Sequence, residues 1–152
     1  MTRPNSLLCA AILFCGAAVA QPSSNGYLVA GAGARDQKLF SEAAAGGEWV
    51  IGKGFGVGGE IGAVAGHESF GFFSPNGYYH LTRHGKLDPF VTGGYTLGFS
   101  IFGGAGSAFN AGGGINFWLW RRLGLRAEFR DIVVHGNPSP NFAVFRGGLL
   151  FR

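Results

Sequence analysis

The chain has 152 residues, enough for one domain. Charged residues make up 13% of it, where a soluble domain carries roughly a quarter, and 29 residues are glycine. Yet 47% is hydrophobic, 15 residues are phenylalanine and the glycines follow no three-residue period, so neither disorder nor a collagen helix fits.

Residues 1–20 read as a secretory signal peptide, with Arg3, the short apolar run "LLCAAILFCGAA", and Ala18 and Ala20 before an expected cleavage at Gln21. The run is too short for a helix to span a bilayer, which takes about 20 residues, and nothing downstream is continuously apolar enough to do so. Cys9 and Cys15 both fall within this segment, so residues 21–152 offer no thiol for disulfides, metal ligation or nucleophilic catalysis. Phe14 just before Cys15 argues against a lipid-attachment cysteine.

Beyond Gln21, short alternating segments are separated by turn-forming clusters. They predict eight strands over residues 26–34, 47–52, 55–65, 72–81, 89–99, 107–119, 124–133 and 141–151. Strands of about ten residues leave about seven for each connection, which suits up-and-down hairpins and leaves no room for a second domain. Pro75 is expected to shorten or bulge the fourth strand, because proline removes a ladder hydrogen bond.

The strands have two unlike faces. In "AFNAGGGINFWL", Phe109, Ala111, Ile115, Phe117 and Leu119 oppose Asn110, Gly112, Gly114 and Asn116. The fifth strand sets Val91, Tyr95, Leu97 and Phe99 against Thr92, Gly94, Thr96 and Gly98, and the third sets Val57, Ile61, Ala63 and Ala65 against Gly58, Glu60 and Gly62. An eight-stranded barrel is only just wide enough inside for side chains to fill it. The bulky face would overfill that interior, whereas small residues with a few long charged ones fit. The expected fold is therefore an all-β, eight-stranded antiparallel up-and-down transmembrane barrel, apolar face outward, with every backbone polar group paired as lipid demands.

In this arrangement "GLRAEFRD" turns its charges inward. Glu48, Glu60 and Glu128 would meet Arg126, Arg130 and Arg146 in a neutral lumen, with Arg146 close to Glu128 if the last two strands pair around Gly136 or Asn137. With the N-terminus on the periplasmic side, turns near 52–54, 82–88 and 120–123 share one rim. It collects all three tryptophans, Trp49, Trp118 and Trp120, as an interfacial aromatic girdle. Lys53, Arg83, Lys86, Arg121 and Arg122 join them there, facing lipid phosphates. The opposite loops mix Arg35 and Lys38 with Asp36, Glu42 and Glu68.

"GGEIGAVAG", "NGYYHL" before a basic turn, "GLRAEFRD" and the closing "FAVFRGGLLFR" resemble the outer membrane β-barrel domain family, the small OmpA/OmpX-type barrels. The likeness covers essentially all of 21–152. It implies insertion into the outer membrane by assembly machinery that reads a C-terminal strand with alternating apolar residues and a final aromatic. Phe145, Leu149 and Phe151 fit, but Arg152 follows the aromatic.

Other motifs fail on context. "GEWVIGKG" nearly spells a phosphate loop and "GFGVGG" matches G-x-G-x-x-G, but both need a following helix and here alternation continues. His67, His80, His84 and His135 show no metal-ligand spacing, and no cofactor is implied. His80 could serve a lipid-modifying enzyme, yet no serine is placed to pair with it as nucleophile. Without Arg3, 11 basic and 8 acidic residues give +3, but the aromatics alternate with glycine rather than with lysine and arginine, so no nucleic-acid surface forms. The expectation is a monomeric, non-enzymatic outer membrane barrel without a wide pore, whose partners are outer membrane lipids and the assembly machinery. A soluble secreted barrel binding a small apolar ligand and an outer membrane lipid-modifying enzyme are the alternatives.

Overall fold

The computed structural model describes residues 24–35, 38–66, 69–82, 85–100, 105–135 and 141–152. The expected signal segment lies outside them, as do Arg83, His67, His84, Asp36 and Glu68. Eight antiparallel strands close into a barrel in chain order: β1 (Ser24–Arg35), β2 (Lys38–Gly52), β3 (Phe55–Ala65), β4 (Phe70–His80), β5 (Leu87–Phe99), β6 (Ala105–Trp118), β7 (Leu123–Val134) and β8 (Asn141–Phe151). Closure comes from β1 pairing with β8, Tyr27 opposite Leu150 and Gly31 opposite Arg146. The sheet therefore has no edge.

Burial alternates residue by residue, and its sense is inverted relative to a soluble barrel. Arg126, Arg130 and Glu60 are among the most deeply buried side chains, while Trp49, Ile51, Phe55, Phe109 and Phe145 stand exposed on the outside. Both Gly-rich motifs that mimic nucleotide loops fall on β2, β3 and the turn between them. At that turn Lys53 and Gly54 take positive φ angles of 49° and 90°, and the β2–β3 register shifts between Val50 and Gly52.

Two expectations about the strands need correction. The second strand starts at Lys38 rather than near residue 47, so Lys38, Glu42 and the run "AAAGG" belong to sheet and not to a loop. Alanine and glycine carry too little hydrophobic contrast to display a period of two, although Glu42, Ala44 and Glu48 occupy one face. Pro75 neither shortens nor bulges β4. It pairs with Gly59 on β3, while the β4–β5 ladder passes from Phe73–Leu97 to Asn76–Gly94 in unchanged register, leaving positions 74 and 75 unpaired on that side. A Ser74–Thr96 hydroxyl contact of 2.8 Å crosses the gap inside the barrel.

Inward-facing glycines make room for the few large interior groups. A Cβ on Gly62 would come within 2.5 Å of the Phe72 ring and 2.8 Å of Ala44, whereas one on outward-facing Gly59 would meet only Phe73, at 3.5 Å. Overpacking a filled interior costs about 1–3 kcal/mol. Gly62→Ala should accordingly lower the temperature at which the barrel loses its compact gel mobility in detergent, and Gly59→Ala should leave it nearly unchanged.

Candidate functional site: the charged lumen and its outer cavity

The end holding residue 24, residue 152 and the short turns is termed inner, and the opposite end outer. Strand parity delivers the six charged residues singled out above to one place: Glu48, Glu60, Arg126, Glu128, Arg130 and Arg146 all have buried side chains in the lumen. Glu128 lies opposite Arg146 in the β7–β8 register. Arg146 Nη2 donates to Glu128 Oε1 at 3.0 Å and to Glu60 Oε2 at 2.8 Å, while its Nη1 reaches Glu60 Oε1 at 2.7 Å. Arg130 donates from Nε to Glu128 Oε1 at 2.9 Å and from Nη1 to Glu60 Oε1 at 3.1 Å. Arg126 Nε donates to Glu128 Oε2 at 3.0 Å. Glu128 thus touches all three arginines.

The network extends further than the sequence suggested. At its outer side Glu42 accepts from Arg146 Nη1 at 2.7 Å, so this residue belongs to the lumen and not to a loop. Toward the inner end, the Arg126 guanidinium lies 4.4 Å from the Tyr27 ring centre and 4.0 Å from that of Phe90, an attraction between cation and ring face. Tyr27 donates its hydroxyl to Glu60 at 3.0 Å and contacts the Tyr78 hydroxyl at 2.9 Å. Beyond Arg126, His80 is held between two carboxylates: Nδ1 faces Asp88 at 2.8 Å and Nε2 faces Glu48. Asn116 donates to Asp88 at 3.3 Å and accepts from Arg126 at 3.5 Å, joining the two groups. Among the described residues the expected three-to-three balance becomes five buried carboxylates against three buried arginines and His80, because Glu42 and Asp88 also turn inward.

The rim residues divide. Trp49 and Trp120 are 59% and 66% exposed on the exterior of the barrel, close to the inner end. Trp118 is not part of that girdle. It is 7% exposed and sits inside the barrel, since it shares strand parity with Asn110 and Asn116. There Arg152 lies over its ring at 4.0 Å and donates to Asn25 at 3.1 Å, so these three groups pack across the inner mouth. Lys53, Lys86, Arg121 and Arg122 are exposed at the short turns of that end.

Above the ion cluster, toward the outer end, the lumen widens into a cavity of about 660 Å³. Phe40, Val64, Phe70, Phe72, Val134 and Phe142 wall it, Ser74 and Thr96 line it more deeply, and Glu42, Glu60, Arg130 and Arg146 form its floor. No spacing rule in the sequence pointed to this space. It exists because Gly98, Gly106 and Ala108 put almost no side chain into the outer part of the lumen.

Compared by sequence, the chain matches no family model and no curated protein. Compared by structure, it is similar to the N-terminal β-barrel domain of Pseudomonas aeruginosa OprF, at 12% identity and a TM-score of 0.63 over 84% of this chain and 97% of that one. Neisserial surface protein A superposes with a TM-score of 0.67 at 7% identity, over 84% and 94% of the two chains. The outer membrane enzyme PagL does so at 0.64 and 12% identity, over 82% and 98%. The fold is that of the eight-stranded outer membrane β-barrels.

Removing one partner of a buried ion pair leaves an uncompensated charge and costs about 3–5 kcal/mol. Glu128→Ala strands hydrogen bonds from three arginines and should sharply lower the unfolding temperature in detergent. Glu42→Ala removes a single acceptor from Arg146 and should lower it less. Thermal unfolding of the two variants side by side checks the ranking, and equal losses would contradict the central position of Glu128.

Proposed function

We propose that this chain is an integral outer membrane protein, exported by residues 1–20 and cleaved before Gln21, whose role is structural or carried by its loops. The observation that carries this reading is the inverted polarity: arginine and glutamate fill the closed interior while Trp, Ile, Phe and Leu cover the outside. Only a surround of lipid makes that distribution favourable, because an exposed apolar exterior would cost about 25 cal/mol per Å² in water. The fold shared with outer membrane proteins supports the same location. Lipids are the expected partners of the apolar band and of the basic turns at the inner rim, the assembly machinery is the expected reader of β8, and the barrel acts as a monomer. Side chains from Glu42 through Asp88 occupy the lumen, which argues against a wide pore.

We assign no catalysis to this chain, although PagL, one of the proteins that share its fold, is an enzyme. Both ring nitrogens of His80 face carboxylates, and Ser74 on the same strand is engaged with Thr96. Among the described residues, a base so occupied faces no nucleophile to activate.

Two measurements test the proposal. The protein should stay with membranes through carbonate extraction and show heat-dependent gel mobility, whereas release into the soluble fraction would favour a secreted binder. Cells carrying His80→Ala should show the same lipid profile as those with the native chain. A lost lipid modification would establish the enzymatic alternative.

A further inference from the structure

We infer that the outer cavity is a binding site for a single-chain, uncharged amphiphile with a hydroxyl at its polar end, a property beyond the structural role proposed above. Its volume, about 660 Å³, falls within the roughly 300–1,000 Å³ usual for small-molecule sites. An eight-stranded interior has room for one small ligand at most.

Polarity is graded along the cavity. Near the outer end Phe40 and Phe142 meet edge to face with ring centres 5.8 Å apart, and Phe70, Val64 and Val134 continue the apolar wall. Deeper lies the hydroxyl pair Ser74–Thr96, and below it the ion cluster. A ligand matching this order places its hydrocarbon among the aromatic rings and its polar end at the hydroxyls.

The floor decides the charge of that end. Arg130 is paired with Glu60 and Glu128 and Arg146 with Glu42, Glu60 and Glu128, while the cavity's third cation, Arg35, lies over the Phe142 ring at 4.7 Å at the outer end, away from the hydroxyls. A carboxylate seated at the hydroxyl layer would therefore be buried beside the carboxylates that already hold the two floor arginines. An alcohol carries no such cost. The hydroxyl layer can take such an end: Asn110 gives Nδ2 to Thr96 Oγ1 and one proton is shared between Ser74 and Thr96, which leaves hydroxyl donor and acceptor capacity for a ligand oxygen. A ligand hydroxyl can both donate and accept there without bringing a charge, whereas a carboxylate can only accept and brings one.

The test is a titration of the full barrel, in lipid nanodiscs with labelled valine and isoleucine methyl groups, with 1-decanol and separately with decanoate. Val64, Ile132 and Val134 line the cavity, whereas Val57, Ile61 and Val91 face outward and report simple partitioning into lipid. Decanol should produce saturable shifts at the first set and only proportional drift at the second. Decanoate should bind at least about tenfold more weakly, as burial of an unpaired charge demands. Gly98→Leu should abolish the saturable shifts, because its side chain would grow into the cavity from a Cβ in ordinary contact with Phe70 at 3.6 Å. If that variant fails to fold, Gly106→Leu serves, with nothing within 4 Å of its Cβ. Cavity methyls that move only in proportion to the lipid-facing ones, or saturation that survives the filling variant, would overturn the site. Equal or tighter binding of decanoate would overturn the ligand class. Membrane association is measured independently by extraction, so failure here leaves the outer membrane reading untouched.

Discussion

The contact on which the rest of this molecule depends is the meeting of Glu60 and Glu128 with three arginines at the barrel centre. An isolated charge in so dry a place would be prohibitive, since the desolvation penalty is several kcal/mol per ion even after relaxation. Each guanidinium instead finds a carboxylate, and Glu128 is shared by Arg126, Arg130 and Arg146. These long side chains, drawn from β3, β7 and β8, span the lumen and tie facing walls together. Because they occupy the inside, the bulky apolar residues are left to the outside, and the closed sheet leaves lipid as the surround that suits them.

Fitting such groups into a narrow cylinder requires an equal measure of emptiness. Gly62 leaves space for the Phe72 ring, and Gly114 for Phe90, whose ring in turn lies against Arg126. The lumen is consequently layered. Trp118 and Arg152 occupy the inner mouth, the His80–Asp88–Glu48 group and the arginine cluster fill the middle, and the outer part is left open behind a ring of phenylalanines. Interior volume, more than any single residue type, separates the filled half from the hollow one.

Much of this was legible in the sequence because a strand sends alternate residues to opposite faces. "GLRAEFRD" alone places Arg126, Glu128 and Arg130 together, and hairpin pairing brings Arg146 opposite Glu128. The same rule, applied more strictly, would have found two residues that were misplaced. Trp118 stands two residues after Asn116 and so shares its inward face, while Glu42 stands an even six residues before Glu48. Proximity to a turn in the first case, and the low contrast of an alanine and glycine run in the second, masked the parity. The partners of His80 were not readable, because they depend on which strand ends meet across the lumen. Neither was the cavity, which is defined by side chains that are small.

The break in the ladder at Pro75 gives the barrel an asymmetry that its closed topology would otherwise lack. Six seams run in unbroken register, the β2–β3 seam shifts only beside its turn, and the seam between β4 and β5 is bridged midway by two hydroxyls instead of main-chain pairs. A cylinder strained by lateral pressure or by swelling of its contents parts where its wall is thinnest in bonds. That seam borders Ser74 and Thr96, so the outer chamber lies against the line along which this wall can most easily yield.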